Sequence, residues 1–160
     1  MSFFHKDKEI IVSSPLKGVV HNLSDTPDDV FTSNIIGEGI AINPTQGAIC
    51  APVTSKVEIF KTNHLLIFEP SKGVYIVIHF GVGTSLLKGK GFQRLPKCTL
   101  DKVHEGDDLV LADLDYLREN AKSLLTPIIV NNDNIKKLEI LVKAGDKVDF
   151  GTPIMKITLK

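Results

Sequence analysis

Short β-branched and aromatic runs recur along this chain, each broken after a few residues by Pro, Gly, Asn or Asp. The pattern predicts strands at Ile10–Ser13, Gly18–Leu23, Gly39–Ile42, Ala48–Cys50, Lys56–Phe60, Leu65–Phe68, Val74–Phe80, Leu109–Asp113, Ile128–Val130, Leu138–Val142 and Ile154–Leu159. Strands so short and closely spaced mark an all-β fold, a sandwich or barrel of antiparallel strands. One segment carries helical spacing instead. Asp115–Ser123 places Leu117, Ala121 and Leu124 at intervals of three to four, with Asp113 or Asp115 to cap the start and Pro127 beyond the end. A helix that short is expected to rest on the sheet rather than form a layer.

The sharpest local pattern is a hairpin. The runs Leu65–Phe68 and Val74–Phe80 flank Glu69-Pro70-Ser71-Lys72-Gly73, a turn-forming cluster. Centring the turn between Ser71 and Lys72 pairs Phe68 with Tyr75, Leu66 with Val77, and His64 with His79. Directly opposed residues on one sheet face bring their Cβ atoms to about 4.5–5.5 Å, so the two imidazoles are expected to meet. A strand histidine is commonly a core or surface filler, and a one-residue slip in register would send the rings to opposite faces. Pattern alone leaves both readings open.

Weak repeats accompany the strands. Ser14–Val20 echoes Ala51–Val57, and Val103–Leu109 echoes Val142–Val148, the latter pair each carrying a Gly-Asp turn. They suggest duplicated hairpin units. No break in composition divides the 160 residues, so one domain is expected over 9–160, preceded by a flexible segment over 1–8.

Charge narrows the function. Lys plus Arg and Asp plus Glu number 19 each, which leaves no basic footprint for nucleic acid. Apolar runs are strand-sized, far short of the ~18–20 residues of a membrane span, and the start lacks the apolar region of a secretory signal. Cys50 and Cys98 stand apart from any second cysteine at metal or redox spacing. A cytoplasmic protein with reduced cysteines is expected, reaching a membrane only through partners.

Rival chemistries lack their motifs. There is no Gly-x-Ser-x-Gly elbow and no Gly-x-x-x-x-Gly-Lys-[Ser/Thr] loop. A catalytic zinc site usually takes three protein ligands; His64 and His79 supply two and can share a zinc only with a partner's help. Phosphoryl carriage suits the pair better. A neutral imidazole nitrogen is a good nucleophile near neutral pH, and a neighbouring imidazole can donate to the phosphoryl oxygens. Thr62, two residues before His64, is placed to orient its ring. Gly81 and Gly83 keep the approach to His79 open.

Collinear motifs then carry a family resemblance: Ile35-Ile36-Gly37-Glu38-Gly39, Cys50-Ala51-Pro52-Val53, Thr62-Asn63-His64, Ile78-His79-Phe80-Gly81-Val82, Leu87-Lys88-Gly89-Lys90-Gly91-Phe92, Ala121-Lys122-Ser123 with Thr126-Pro127, and Val142-Lys143-Ala144-Gly145-Asp146. The chain resembles the glucose-family enzyme IIA of the bacterial phosphoenolpyruvate:sugar phosphotransferase system. The resemblance implies a phosphotransferase needing no cofactor, with His79 phosphorylated through Nε2 and His64 assisting, held by Thr62. It implies the histidine phosphocarrier protein as donor and a cysteine on an enzyme IIB domain as acceptor, for sugar uptake. It also implies a docking ring of Val30, Phe31, Ile35, Ile36 and Phe60 with Asp28 as its acid.

Some positions depart from that family's pattern. Gly83 stands where an acid is usual, Ser85-Leu86 replaces an apolar-acidic pair, Lys61 and Lys90 stand where acidic or neutral residues are common, and Asp29 takes an apolar place in the ring. Docking proteins match charge with charge, so these exchanges bear on partner choice more than on chemistry. The alternative function is a regulatory module that grips transporters or enzymes with the same face, phosphorylation being its switch or lost.

Overall fold

The computed structural model describes residues 7–27, 37–95, 102–131 and 133–160. Thirteen strands in this part form three antiparallel sheets. The strands are β1 (Glu9–Ser13), β2 (Gly18–Asn22), β3 (Glu38–Pro44), β4 (Ala48–Cys50), β5 (Lys56–Ile59), β6 (Leu65–Ser71), β7 (Val74–His79), β8 (Phe92–Arg94), β9 (Asp108–Ala112), β10 (Thr126–Val130), β11 (Ile135–Ile140), β12 (Lys147–Val148) and β13 (Pro153–Leu159). A seven-stranded sheet runs β12-β2-β3-β10-β7-β6-β5, and the smaller sheets run β1-β13-β11 and β4-β9-β8. The all-β expectation from strand spacing therefore holds.

Alternation in β7 explains its place. Val74, Ile76 and Ile78 are buried, while Tyr75 points to solvent and Val77 and His79 are half-buried. Leu66 and Phe68 of β6 and Ile128 of β10 complete the packing beneath them, and Phe80 stacks edge-to-face on Phe92 at 5.6 Å between ring centroids. β10 is buried along its whole length because β3 and β7 flank it.

The hairpin register differs from the symmetric expectation by one residue. Phe68 pairs with Ile76, Leu66 with Ile78, and Leu65 with His79. Two local causes combine. The tight turn is Lys72-Gly73, with Gly73 at φ 77° and Ser71 facing Val74, so it sits later than expected. A bulge between Phe68 and Ser71 then takes up one extra residue in β6; Pro70, which has no N–H to give a ladder, falls inside it.

The helix α1 covers Leu114–Asn120 rather than Asp115–Ser123. Asp113 is its cap, accepting from the Tyr116 N–H at 3.0 Å, and Leu117 is its one buried residue, with Leu114 and Tyr116 packed half-buried against the core. It stops early because the next residues join another strand-like pairing. Lys122 N–H donates to the Val82 carbonyl at 2.9 Å, and Val82 N–H donates to the Ser123 carbonyl at 2.8 Å. Two strands escape the apolar pattern, β8 and β12, both too short to show alternation.

Duplication is present, but it pairs the turns differently. Ser14 N–H donates to the Thr152 carbonyl and Gly151 N–H to the Ser14 carbonyl; Ala51 N–H donates to the Asp107 carbonyl and Gly106 N–H to the Ala51 carbonyl. Gly18 faces Val148 as Ser55 faces Val103. The spatial counterpart of His104–Asp107 is thus Asp149–Thr152. The turn Lys143–Asp146 shares only its chemistry, an Asp carboxylate accepting from the N–H three residues before it, in both cases.

Candidate histidine site

His79 ends β7, and everything after it is fixed from behind. Phe80 is buried in the core, and its N–H donates to the His64 carbonyl at 2.7 Å. Gly81 turns the chain at φ 72°, a left-handed conformation in which a side chain would be strained. A Cβ there would also lie 2.9 Å from the Ser123 carbonyl oxygen and 2.9 Å from Thr84 Cγ2. Gly81 N–H donates to Thr126 Oγ1 at 3.1 Å, and Thr84 Oγ1 donates to the Phe80 carbonyl at 2.7 Å.

That turn aims one carbonyl at the imidazole. His79 Nδ1 lies 2.7 Å from the Gly81 carbonyl oxygen. A carbonyl only accepts, so Nδ1 carries the proton and the neutral ring keeps its lone pair on Nε2.

His64 arrives by another route. It lies in the loop joining β5 and β6, just before β6 and after Asn63, whose φ of 60° is left-handed. Because His64 stands outside the strand, the pleat does not dictate its direction. The one-residue register shift therefore does not separate the rings: their centroids are 4.8 Å apart, at 79°. The expected meeting of the imidazoles is present, reached through a bend and not through a cross-strand pair.

The two rings sit in unequal surroundings. His64 is only 5% exposed, while His79 is half-buried. Burial, followed by the neighbouring His79 charge, pulls the His64 pKa down to about 4, although the Thr62 backbone carbonyl pulls the other way. His64 is neutral at physiological pH. Thr62 Oγ1 lies 2.6 Å from His64 Nδ1. With the hydroxyl donating, the His64 proton sits on Nε2, ready to be given.

The family model for the phosphoenolpyruvate-dependent sugar phosphotransferase system, EIIA 1, matches residues 10–136. The chain belongs to this family. Among relatives, the glucose-specific EIIA component of Buchnera aphidicola is 40% identical over 144 residues, covering 87% of this chain and 89% of that protein. That of Borreliella burgdorferi is 38% identical over 141 residues, covering 87% and 74%. The glucose-specific EIICBA component of Staphylococcus carnosus is 43% identical over 143 residues, 86% of this chain, and the chain spans 21% of that longer protein. The glucose permease IIA structure from Mycoplasma capricolum superimposes with a TM-score of 0.84 at 37% identity, covering 98% of this chain and 99% of that one. The chain is accordingly an EIIA-type phosphoryl-transfer component of that system, working in a relay with an EIIB domain. The alternative of a regulatory binding module, with phosphorylation as its switch or lost, is not favoured.

The remaining expected site residues fall out as follows. Phe60 is 40% exposed at the start of the His64 loop. Gly81 is buried and serves from within, whereas Gly83 is half-exposed at φ 75°. Gly83 opens a 3₁₀ turn over Thr84–Leu87 with no side-chain cap. Lys61 and Lys90 are exposed, and the loop carrying Lys90 lies against Thr62: a Cβ on Gly89 would come 3.8 Å from the Thr62 Cα. Asp28, Asp29, Val30, Phe31, Ile35 and Ile36, like Cys98, lie outside the described residues. Among the described residues no three His, Cys, Asp or Glu side chains gather as metal ligands, and no helix is long and apolar enough to cross a membrane.

Sequence reasoning assigned no task to Thr84, Lys122, Ser123 or Thr126, the residues that hold the Gly81–Gly83 loop. The motifs Ala121-Lys122-Ser123 and Thr126-Pro127 were the available signal: polar residues repeating in a family pattern far from the histidines in sequence.

Proposed function

We propose that His79 is the phosphorylated residue and that His64 assists it. The observation that carries this reading is the Nδ1 to Gly81 carbonyl contact of 2.7 Å, which commits Nε2 to nucleophilic attack. In the step, the Nε2 lone pair of His79 forms a bond to phosphorus while the N–P bond of a donor phosphohistidine breaks and its nitrogen recovers the pair. Positive charge develops on the His79 ring, and the Gly81 carbonyl faces the proton that bears it. In onward transfer, as the bond from phosphorus to His79 Nε2 breaks, His64 Nε2–H donates to a phosphoryl oxygen, Thr62 holding the other nitrogen.

The donor is the histidine phosphocarrier protein and the acceptor a cysteine of an enzyme IIB domain, in cytoplasmic sugar uptake. Phe60 receives both partners, together with Val30, Phe31, Ile35, Ile36 and the acid Asp28, which lie outside the described residues. Gly83, in the turn that follows His79, is a further partner contact.

The test is to incubate the protein with phosphoenolpyruvate, enzyme I and the phosphocarrier protein and to measure acid-labile phosphate. Wild type is expected to take label and His79→Ala none. Label absent from wild type, or kept by His79→Ala, would refute the assignment. His64→Gln is expected to accept phosphate and pass it on slowly; onward transfer at the wild-type rate would remove His64 from the mechanism.

A further inference from the structure

We infer that Arg94 is a positioning residue for phosphoryl transfer, holding the loop that aims His64 at His79. The inference rests on the reading of His64 as the assisting imidazole. Arg94 belongs to a different sheet, at the end of β8, yet its guanidinium reaches the loop between β5 and β6. Nη2 donates to the Ile59 carbonyl at 2.8 Å and to the Phe60 carbonyl at 3.2 Å, and Nε donates to Asn63 Oδ1 at 3.2 Å.

These three acceptors bracket the loop. Ile59 is the last residue of β5, Phe60 the first loop residue, and Asn63 the residue before His64. Among the described residues β5 is the edge strand of its sheet, and no described strand takes its outward carbonyls. Asn63 carries the left-handed φ of 60° that redirects the chain into His64, and its own N–H closes the loop on the Phe60 carbonyl at 2.7 Å. One planar fork thus ties the strand end, the loop start and the strained residue together. A lysine ammonium has no such fork and cannot reproduce that geometry.

The consequence falls on the contact inside the loop. Thr62 and His64 flank Asn63, and their 2.6 Å hydrogen bond tolerates little displacement. An assisting ring moved by about 1 Å can lose on the order of a hundredfold in rate. Arg94 touches neither histidine ring, so it acts through the loop.

The experiment uses the full chain and compares acceptance on His79, onward transfer to the IIB domain, and the ¹⁵N resonances of the His64 ring in wild type, Arg94→Met and Arg94→Lys. Arg94→Met is expected to accept label within about twofold of wild type, to transfer it onward about tenfold more slowly, and to shift the His64 Nδ1 resonance. Arg94→Lys is expected to recover only part of both effects. Unchanged onward transfer with an unchanged His64 resonance would overturn the inference, whatever happens to the melting temperature. An equal fall in both transfer steps would overturn it too, since that marks general loss of structure. Should Arg94→Met not fold, Asn63→Gly keeps the left-handed backbone accessible and removes one anchor; an unchanged His64 resonance there refutes the inference. If wild-type His79 takes no label, the transfer reading fails by itself and the ¹⁵N comparison alone decides Arg94.

Discussion

Acidifying the protein from about pH 7 to about pH 4.5 is expected to destabilise it through His64 in particular. The imidazole is 5% exposed, and burial together with the His79 charge moves its pKa from 6.5 down to about 4. The folded value is the depressed one. Stability tied to His64 is therefore complete above pH 6.5 and is lost as the pH falls through the window from 6.5 to about 4. In that window the unfolded chain binds a proton that the folded chain does not. Each pH unit then costs about 1.4 kcal/mol, so the drop to about pH 4.5 removes about 2 kcal/mol. The assay is urea denaturation of wild type and His64→Gln at both pH values. Carboxylates such as Glu69, held low by Lys56, titrate alike in both chains and cancel in the difference. Wild type should lose about 2 kcal/mol more than the variant. Equal losses in the two chains would show that His64 is not held neutral by its surroundings, and would refute the reasoning.

Two further outcomes follow from the loop behind His79. Gly81→Ala, which adds a Cβ 2.9 Å from the Ser123 carbonyl at φ 72°, should lower stability by about 2 kcal/mol and slow labelling of His79, as read by urea denaturation and acid-labile phosphate. Thr126→Val keeps the side-chain volume but leaves the Gly81 N–H without its 3.1 Å acceptor; a loss of about 1–3 kcal/mol is expected by the same denaturation assay, and a neutral result would mean the bond contributes nothing.

The fold class was legible because its signal is local. Alternation in Val74–His79 and the turn cluster after Phe68 report burial and chain reversal directly. The register was not legible. It depends on how a turn at Lys72-Gly73 and a bulge around Pro70 divide one extra residue between them, and hydrophobic pattern is silent on that. The end of α1 was hidden for a similar reason: Ala121 and its neighbours have good helical spacing, but pairing with Val82 pulls them into extended backbone. At the site, Thr62 and His64 are near neighbours in sequence, so their hydrogen bond was accessible to reasoning by spacing. Arg94 and Thr126 act across tertiary distance through backbone carbonyls and N–H groups, which no residue pattern displays.

The two rings meet despite the shifted register, and the reason bears on the division of labour proposed for them. Two histidines facing each other in a regular ladder would share one environment, and nothing would make one a carrier and the other a helper. Here His79 is held by a strand and a rigid glycine turn, half-buried, with its Nδ1 proton directed at a carbonyl. His64 is delivered by a left-handed residue in a clamped loop, buried and kept neutral. Keeping His64 neutral avoids the repulsion that a pair of imidazoliums at 4.8 Å would suffer. The asymmetry comes from the break in strand regularity at Asn63. Regularising that loop, and not merely moving a ring, would remove this difference in surroundings and with it the basis for the separate roles proposed for them.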